Sequence, residues 1–432
     1  MQSTIERNPM SSILTNNGAM VALQTLKSIN TKLTDTQNAI STGKSVGTAR
    51  DNAAVWAISK IMESDVKGFK GISDSLNLGE STVAVARNGA ETVTDLLTEM
   101  KGKIVASQEQ NVDRAKIQTD IVALRDQINA VVGAAQFNGL NLLSNRDKDA
   151  GSGTVNVLAS LDRSSNGVSA SDIGIGKKDL GTAASTVTGG TVANLTAAAT
   201  LNATQNESLT ITAPTGAGQV FSLGIAGVDA NGDNFTPGDY TTGTTAADAQ
   251  KIMYIARDGD TAGDVAKGLA QAYAIYAAEQ GLDTDVFNVT ASGGDLNISS
   301  TVTDATDTLA ARVDTLTSPT EVVIGGGLEK LNDIDVTSDS GADAALVSIE
   351  YMIQNAIDSA ASFGSAQGRI ETQSNFISSL TDSLKSGIGT LVDADMEEAS
   401  ARLQALQVQQ QLGVQALSIA NQAPQSLLSL FR

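Results

Sequence analysis

The sequence predicts a mainly α protein, in which long antiparallel helical coiled-coil arms from both termini flank an inserted β-rich (α+β) outer domain. Three observations support this fold class. Residues 10–213 and 320–423 contain no proline, so long helices can run there without an interior break. Apolar residues recur every seven positions in both arms. After about residue 150, the chain becomes rich in Gly, Thr, Ser and Ala with alternating apolar positions, a pattern typical of strands and turns.

The sequence of the N-terminal arm predicts three helices. In the first helix, apolar residues recur every seven positions, and Leu23 and Ile29 are additional apolar positions beside this series. The stretch Gly43–Gly47 ends the pattern. A second helical region is predicted from about Asn52 to near Ser107. A third is predicted over Val112–Val132, with Asp113 at its start and Gly133 at its end. The apolar positions that carry these predictions are Ala19, Leu26, Leu33 and Ile40 in the first helix and Ile117, Ile121, Leu124 and Ile128 in the third.

The C-terminal arm carries a longer heptad series. It comprises Ile349, Ala356, Phe363, Ile370, Ile377, Leu384 and Leu391. An ordinary buried amphipathic helix would also place apolar residues on one face. A strict seven-residue period kept over more than forty residues favours a coiled-coil-like helix instead.

Both ends of the chain are uncharged, although the whole sequence has a formal net charge of −20. No charged residue occurs in Met10–Leu26 or in Leu403–Phe431. Glutamine and asparagine interrupt the apolar residues of the second stretch too often for a membrane span. The apolar residues are nevertheless too many for a solvated tail. Because one chain is not expected to surround its own two ends, this pattern predicts assembly with other copies.

Composition narrows the possible functions. The chain has no histidine and no cysteine, which removes the commonest general base, the commonest metal ligand and all thiol chemistry. Catalysis by carboxylates, lysine or serine, as in a hydrolase within the insert, remains an alternative that composition leaves open. The prediction is nevertheless no enzyme activity, no catalytic or metal-binding residues and no cofactor. The acidic balance argues against nucleic acid as a partner. No signal peptide is recognisable, and residues 1–9 are predicted to be a disordered extension.

The middle of the chain is acidic. Residues 151–330 carry 8 Lys or Arg against 20 Asp or Glu. A helix is predicted over Thr261–Gln280, with Thr261 and Asp264 as a capping pair. Strands are predicted near Val286–Thr290 and Leu296–Ser299. The run Asp229–Asp233 resembles a calcium loop only faintly, since its glycine comes early and its terminal glutamate is missing, so a polar turn is predicted there.

Short motifs recur in order at both ends of the chain. They are Ile13-Leu14-Thr15-Asn16-Asn17, Ile40-Ser41-Thr42-Gly43, Asp51-Asn52-Ala53-Ala54, Gln136-Phe137-Asn138-Gly139, Asp393-Ala394-Asp395, Gln409-Gln410-Gln411, Ala420-Asn421-Gln422 and Leu427-Leu428-Ser429-Leu430. These motifs resemble those of bacterial flagellin, over about residues 10–148 and 340–432. Details at Trp56 and at Met396-Glu397-Glu398 are most similar to alphaproteobacterial members.

The resemblance implies a structural subunit of the extracellular flagellar filament, which serves swimming motility. It implies secretion by the flagellar type III apparatus, and as partners further copies of the chain, an export chaperone, and the hook–filament junction and cap proteins, without membrane insertion. Residues 10–45 and 395–432 would form inner-core helices, 46–148 and 340–394 a surrounding helical layer, and 149–339 a variable outer domain.

Two sets of residues are predicted to hold such an assembly together. The polymerisation interface is expected at Leu23, Leu26, Ile29, Leu33, Ile40, Leu403, Leu406, Val414, Leu417, Leu427 and Leu430. Packing of the helical layer is expected at Ile121, Leu124, Ile128, Phe137, Phe363, Ile370, Ile377 and Leu384.

Alternative functions share parts of this pattern. A hook–filament junction protein has similar termini, but such proteins usually depart from the flagellin pattern at Gln136–Gly139 and Gln409–Gln411. A surface adhesin would use the insert as a binding module and would not need uncharged helices at both ends. Enteric flagellins present an arginine-bearing helix face to the host receptor toll-like receptor 5. Because no arginine lies between Arg87 and Arg114 here, we predict weak or absent stimulation of that receptor.

Overall fold

The computed structural model describes residues 16–164, 167–201 and 206–430, with side chains for 16–162, 167–201 and 206–422. The predicted extension at residues 1–9 lies outside the described residues. The chain forms two compact units. Unit 1 contains the residues up to Gly71 and from Phe376 onwards, and unit 2 contains Ile72–Asn375.

Seven α-helices occur in the described part of the chain, and five of them are long. They confirm the mainly α class. The bounds are α1 Asn17–Thr42, α2 Ala53–Ser107, α3 Arg114–Ala134, α4 Ala246–Ala249, α5 Ala262–Gln280, α6 Asp339–Val392 and α7 Met396–Leu430. None of these helices is both long and apolar enough to cross a membrane.

The strands lie between α3 and α6, and all except β1 and β2 fall within the predicted insert 149–339. A short 3₁₀ helix, Glu329–Asn332, follows the last strand. The strand bounds are β1 Gln136–Phe137, β2 Leu140–Asn141, β3 Thr154–Ser164, β4 Gly167–Gly176, β5 Thr186–Thr188, β6 Thr191–Asn194, β7 Ala199–Leu201, β8 Asn206–Thr210, β9 Val220–Val228, β10 Met253–Ile255, β11 Asn288–Ser292, β12 Asp295–Ser299, β13 Thr308–Thr317 and β14 Glu321–Val323.

In unit 2, the heptad stripe of α6 faces inward. Ile349, Ala356, Phe363 and Ile370 are buried. Polar contacts tie α6 to α2: Arg87 Nε donates to Gln367 Oε1 at 3.0 Å, and Lys101 Nζ donates to Glu350 Oε2 at 2.5 Å. Arg87 pairs with a residue near the C-terminal end of this part of α6, and Lys101 with one near its start, so the helices run antiparallel. The predicted coiled-coil-like packing is confirmed for these positions.

Helix α3 packs through the predicted stripe, with Ile121, Leu124 and Ile128 buried. The Asp113 side chain accepts a hydrogen bond from the backbone N–H of Lys116 and caps its start. The prediction that Gly133 ends the helix is wrong by one residue, because α3 continues through Ala134. There the backbone N–H of Ala135 still bonds to the carbonyl of Val131 and completes the last turn.

The long hairpin β3–β4 lies against the helices of unit 2. A Cβ atom added to Gly79 on α2 would come within 2.7 Å of Val157 on β3, so only glycine permits this approach. Gln373 on α6 donates a hydrogen bond of 2.9 Å to the carbonyl of Ala159. Val157 and Ile173 are buried on the inner face of the hairpin. The hairpin therefore packs on the helices although it lies in the sequence predicted as the outer domain.

Strands β6 to β13 build a separate α+β core around α5. The antiparallel order β10–β9–β13–β6, with β7 also on β13, forms one sheet, and β11–β12–β8 forms another. Tyr273 on α5 packs edge-to-face on Phe287, with ring centroids 5.5 Å apart. The predicted capping pair of α5 is confirmed, since Thr261 and Asp264 form a reciprocal capping box. The hairpin β11–β12 turns at Gly293-Gly294, so its strands extend closer to the turn than predicted.

Candidate assembly interface

Asn16 ties the start of α1 to the far end of the chain. Its side-chain oxygen accepts the backbone N–H of Ala19 at 3.0 Å and caps the helix. Its Nδ2 donates to the carbonyl of Ala420 on α7 at 2.8 Å. Further along, Gln410 Nε2 donates to Asn30 Oδ1 at 2.7 Å. The two contacts show that α1 and α7 lie antiparallel.

A seam of a and d positions joins α1 and α7 within unit 1. Every seam side chain is buried or half-buried, and Ile29 and Leu406 are 9% and 6% exposed. Gly413 brings the backbones close together, because a Cβ atom there would lie 3.2 Å from Leu26 Cδ1. The spacing alternates between three and four residues, as in a coiled coil. The seam consists of Ala19, Ala22, Leu26, Ile29, Leu33, Thr36 and Ile40 on α1 and Leu403, Leu406, Gln410, Gly413, Leu417 and Ala420 on α7.

Backbone hydrogen bonds join the ends of two helices in unit 1. Gly43 ends α1 in the left-handed conformation, with φ 70°. Its carbonyl accepts the N–H of Ala394 at 2.9 Å, and the N–H of Ser45 donates to the carbonyl of Val392 at 2.7 Å. Lys44 and Asp393 form an antiparallel bridge between these bonds. These bonds therefore join the loop after α1 to the loop between α6 and α7.

The charged groups of unit 1 lie outside the segments 16–26 and 403–422. Asp51 closes the loop before α2, accepting the backbone N–H of Thr48 at 2.8 Å and of Gly47 at 3.1 Å. The N–H of Thr48, followed by its hydroxyl, lowers the pKa of the Asp51 carboxyl. Lys60, hydrogen-bonded at 2.7 Å, lowers the pKa of Glu63, with a smaller contribution from Lys44. These carboxylates stay ionised and anchor the start of α2.

The sides of α1 and α7 away from the seam expose large apolar side chains. Val408, Leu412 and Ile419 share one stripe of α7, four and seven residues apart. The exposed fractions are 63% for Met20, 63% for Val21, 59% for Leu23, 56% for Val408, 57% for Leu412, 54% for Val414 and 69% for Ile419. We call these seven residues the outer apolar set. All seven lie in segments without charged side chains, 16–26 and 403–422, and apolar exposure of this density there is a mark of a protein–protein contact surface.

The structure divides the predicted interface residues into groups. Leu23 and Val414 belong to the outer apolar set. The side chains of Leu427 and Leu430 lie outside the described residues. The other predicted residues lie in the seam and pack against their own chain: Leu26, Ile29, Leu33, Ile40, Leu403, Leu406 and Leu417. The expectation that the two ends find no burial within one chain is therefore wrong for the seam, because α1 and α7 cover each other there.

The predicted helical-layer residues are all at least half-buried. Phe137 and Leu384 are half-buried, whereas Ile121, Leu124, Ile128, Phe363, Ile370 and Ile377 are buried. Ile377 and Leu384 belong to unit 1, and the others belong to unit 2. Leu391, the last heptad position, is 39% exposed, so the buried stripe ends before α6 does.

Sequence reasoning missed several seam residues. Gln410, Gly413 and Thr36 occupy heptad positions, but none is a large apolar side chain. Continuing the three-and-four spacing from Leu403 and Leu406 leads directly to Gln410 and Gly413. Leu412 and Ile419 are apolar residues of the same stretch, but sequence alone does not show which side of α7 faces α1.

One group of carboxylates in the described chain comes close enough to share a metal ion. Oxygen atoms of Asp229, Asp233 and Asp307 lie within 4.8 Å of one another. The Asp229 carboxylate accepts backbone N–H groups of the loop that follows it, among them Asn234 and Phe235, each at 2.9 Å. These bonds build a polar turn, as predicted for this segment, and we assign no metal to it.

The paired helices with their uncharged segments, the exposed apolar stripes and the inserted domain define a self-assembling structural subunit. Family comparison makes the class specific. Residues 13–148 match the bacterial flagellin N-terminal helical region, and residues 346–431 match the bacterial flagellin C-terminal helical region. The chain belongs to the bacterial flagellin family.

Individual flagellins are similar to this chain over their whole length. Flagellin A of Rhizobium meliloti is 36% identical, covering 98% of this chain and 100% of the relative. A flagellin of Brucella melitensis is 29% identical over 98% of this chain and 100% of the relative. Among solved structures, FliC of Burkholderia pseudomallei covers 67% of this chain and 99% of its own, with 14% identity and a TM-score of 0.30.

Family membership confirms the function predicted from the sequence. The protein is a structural subunit of the bacterial flagellar filament, an extracellular polymer of many copies, and it is not an enzyme. Its relatives are alphaproteobacterial flagellins, in agreement with the resemblance at Trp56 and Met396–Glu398. Neither the junction protein nor the adhesin alternative is favoured.

Proposed function

We propose that the outer apolar set carries the contacts between subunits of the filament, and that the seam carries the contact within each subunit. The observation that supports this division is the burial pattern of unit 1. Seam residues such as Ile29 and Leu406 are covered by their own chain, whereas Leu412 and Ile419 remain exposed on the same two helices. Covering apolar surface contributes about 25 cal/mol per Å². Burial of the exposed residues against a neighbouring subunit would therefore stabilise the filament.

The absence of charge on these surfaces supports the same proposal. Residues 403–422 of α7 and 16–26 of α1 carry no charged side chain. Charges buried between copies would lose their hydration and, in a homopolymer, would face like charges in many neighbouring subunits. The exposed glutamines of α7 can instead form hydrogen bonds to water or to neighbouring helices.

We further propose that the pair of α1 and α7 becomes fully ordered only when the subunit joins the filament. In α1, Ile29 and Thr36 are the buried residues of the described helix, and Leu406 is buried in the described side chains of α7. So few buried side chains give a marginal pair, because isolated helices depend on tertiary packing for stability. Amide exchange at Leu406 and Leu417 is expected to be fast in dilute monomer and slow in filaments. Equally slow exchange in both states would contradict coupled folding.

The remaining assignments concern the position of the segments and the partners. We propose that residues 10–45 and 395–432 line the inner core, that 46–148 and 340–394 surround it, and that the insert faces water. The acidity of residues 151–330 supports an outermost position, where salt screens repulsion between copies within about 8–10 Å. Export by the flagellar type III apparatus with a chaperone, and contacts with the junction and cap proteins, follow from family membership and are proposals here.

Seeded elongation tests the proposed interface. Leu412→Gln and Ile419→Gln each replace an exposed apolar side chain by a polar one that α7 already tolerates at neighbouring positions. Monomers of either variant are expected to elongate wild-type seeds at least about tenfold more slowly, because each loses apolar burial of about 1.5–3 kcal/mol in every contact. Elongation rates are measured by light scattering and counted fibres.

A matched control separates the interface from general damage. Gln411→Ser changes an exposed polar residue of the same helix and is expected to elongate like the wild type. The far-ultraviolet circular dichroism of all three variants should equal that of the wild-type monomer. Wild-type elongation by both Leu412→Gln and Ile419→Gln would refute the assignment of the outer apolar set.

A further inference from the structure

Two segments of the chain connect the α+β core to the helices of unit 2. The entry segment, residues 177–185, follows β4, and the exit segment, residues 324–336, follows β14. The two segments run side by side, and the backbone N–H of Gly326 donates to the carbonyl of Ala183 at 2.7 Å. We call the paired segments the junction. The α+β core is therefore attached through two segments that are bonded to each other, and not through two separate linkers.

Glycine permits the close approach of the two segments. A Cβ atom on Gly326 would collide with the carbonyl oxygen of Gly181, and one on Gly327 would collide with that of Asp179. The backbone N–H of Leu328 also donates to the carbonyl of Gly181 at 2.9 Å. The two backbones thus touch without side chains between them, which leaves little room for one segment to slide along the other.

The exit segment is bonded to two helices of unit 2. The Gln118 amide on α3 donates to the carbonyl of Ile334 at 2.8 Å and accepts the N–H of Val336 at 3.0 Å. Asn355 on α6 donates from Nδ2 to the carbonyl of Gly327 at 3.3 Å. A side-chain amide that both donates to and accepts from one segment fixes the direction of that segment as well as its distance.

The entry segment lies along the chain that follows β2. The N–H groups of Lys178 and Leu180 donate to the carbonyls of Leu142 and Leu143, at 2.9 and 3.1 Å respectively. The side chains of Leu142, Leu143 and Leu180 are buried, and so is that of Leu328 in the exit segment. Apolar burial therefore reinforces the backbone hydrogen bonds on both sides of the junction.

The α+β core also contacts the junction through the loop before α5. The carbonyl of Asp258 accepts Asn145 Nδ2 at 3.1 Å, and the Asp258 carboxylate accepts the N–H of Gly153 at 2.7 Å. Arg257 donates from Nη2 to the carbonyl of Gly325 at 3.0 Å. This loop gives the core a third attachment, in addition to the two segments that connect it.

The Asp179 carboxylate lies where these attachments meet. Its Oδ1 accepts the backbone N–H groups of Gly181 at 2.8 Å and Gly327 at 3.1 Å. Its Oδ2 accepts the backbone N–H of Asn145 at 2.8 Å. One side chain therefore bonds the entry segment, the exit segment and the chain after β2. Asp179 is only 7% exposed, and hydrogen bonds to a carboxylate are among the strong ones.

We propose that Asp179 locks the junction, so that the α+β core and the helices of unit 2 move as one rigid body. Domains joined within one chain ordinarily move relative to each other unless a large interface holds them. Here a buried carboxylate and paired backbones take the place of such an interface. Each subunit would therefore present its α+β core at a fixed angle. The lock is a property of the single subunit and does not rest on the proposed contacts between subunits.

Distance measurement between two spin labels tests the rigid connection. The chain has no cysteine, so labels attach only where one is introduced. Gln127→Cys on α3 and Thr290→Cys on β11 are both exposed positions, one on the helices and one on the core. In the full-length, unseeded monomer, pulsed electron resonance is expected to give one narrow distance distribution. A broad or divided distribution in this labelled parent would overturn the proposal.

Variants of Asp179 test the lock itself. Asp179→Ala removes the acceptor of three N–H groups, and the distance distribution is expected to become about twofold broader or more. Asp179→Asn keeps one acceptor oxygen, so an intermediate width is expected. Asp333→Ala is the matched control, because that carboxylate is exposed and pairs only with Lys330, at 3.1 Å, among the contacts of the described chain. Its distribution should equal that of the labelled parent.

Circular dichroism of the tyrosines separates loss of the lock from loss of the core. Tyr273 and Phe287 pack inside the α+β core, which does not include Asp179, so the near-ultraviolet signal should persist in both Asp179 variants. If Asp179→Ala unfolds the core, the width measured for Asp179→Asn decides. Distributions as narrow as that of Asp333→Ala in the folded Asp179 variants would overturn the role of Asp179.

Discussion

Gln410 on α7 donates a hydrogen bond of 2.7 Å to Asn30 on α1, across 380 residues of sequence. Two uncharged amides thus fix the register of two helices that are otherwise held mainly by apolar side chains such as Ile29 and Leu406. Gly413, one turn further along α7, lies against Leu26 and Ile29. The contact sets which side of each helix faces its partner, and it thereby sets which apolar residues remain for neighbouring subunits.

Shortening a buried seam side chain should lower the thermal stability of the filament, because it destabilises each subunit. Ile29→Ala or Leu406→Ala removes a buried side chain and leaves a cavity, which costs about 2–4 kcal/mol. We expect filaments of either variant to melt at lower temperature in scanning calorimetry. Ser28→Ala, at an exposed position beside Ile29, is the control and should melt like the wild type. Identical melting of Ile29→Ala and Ser28→Ala would show that the seam does not stabilise the filament.

The stability of the C-terminal end of α1 should depend on a glycine at position 43. Its φ of 70° is a conformation that other residues adopt at a cost, and Gly43→Ala is expected to destabilise unit 1 by about 1 kcal/mol. Gly47→Ala is the matched change in the same loop, where φ is not positive and the nearest atom to an added Cβ is 3.9 Å away. Filament dissociation in urea measures both variants. A midpoint lower for Gly47→Ala than for Gly43→Ala would contradict the capping role.

The distal part of the insert should be dispensable for assembly. Strands β5 and β14 pair antiparallel, with Thr188 opposite Glu321, so residues 191–317 can be replaced by a short Gly-Ser turn across adjacent chain ends. This deletion keeps the hairpin β3–β4 on the helices. We expect the purified variant to elongate seeds, because the arms carry the contacts. A soluble, folded variant that forms no fibres would show that the distal part contributes to polymerisation.

The loop after β9 should respond to acid through Asp229. Backbone N–H groups, with that of Phe235 first and then those of Asn234, Gly232 and Asn231, lower the pKa of Asp229 to about 2. A lowered pKa means that the carboxylate stabilises the loop above its ordinary pKa of 3.8, and that this contribution is lost as the pH falls from there towards about 2. Amide signals of residues 231–235 should hold steady from pH 7 to about 4 and move below it. In Asp229→Asn this movement should disappear, and its persistence would assign the change to another group.

Purified monomer should stimulate the host innate receptor weakly. On α2, Arg87 pairs with Glu91 at 2.6 Å, and the following turns carry Lys101 and Lys103, which pair with Glu350 and Asp120. Lysine does not replace the planar, bidentate guanidinium of an arginine-bearing face. A reporter cell line with an enteric flagellin as positive control measures the response. A response equal to that control would contradict the prediction.

Some features followed from the sequence alone because they depend on local periodicity and end chemistry. The heptads from Ile349 to Ile377, the capping box of Thr261 and Asp264, and the uncharged ends were all readable from spacing and residue type. Helix periodicity and helix capping depend on residues that are close together in the sequence, so the sequence is sufficient to predict them. Together with the terminal motifs, they were sufficient to indicate a flagellin.

Only the tertiary structure decided which apolar residues the chain covers by itself. Leu417 and Ile419 look alike in sequence, yet Leu417 lies in the seam and Ile419 is 69% exposed. The same holds for the hairpin β3–β4, which packs against Gly79 of α2. The physical reason is that burial depends on contacts between residues far apart in the chain, and helical periodicity alone does not determine which face meets which partner.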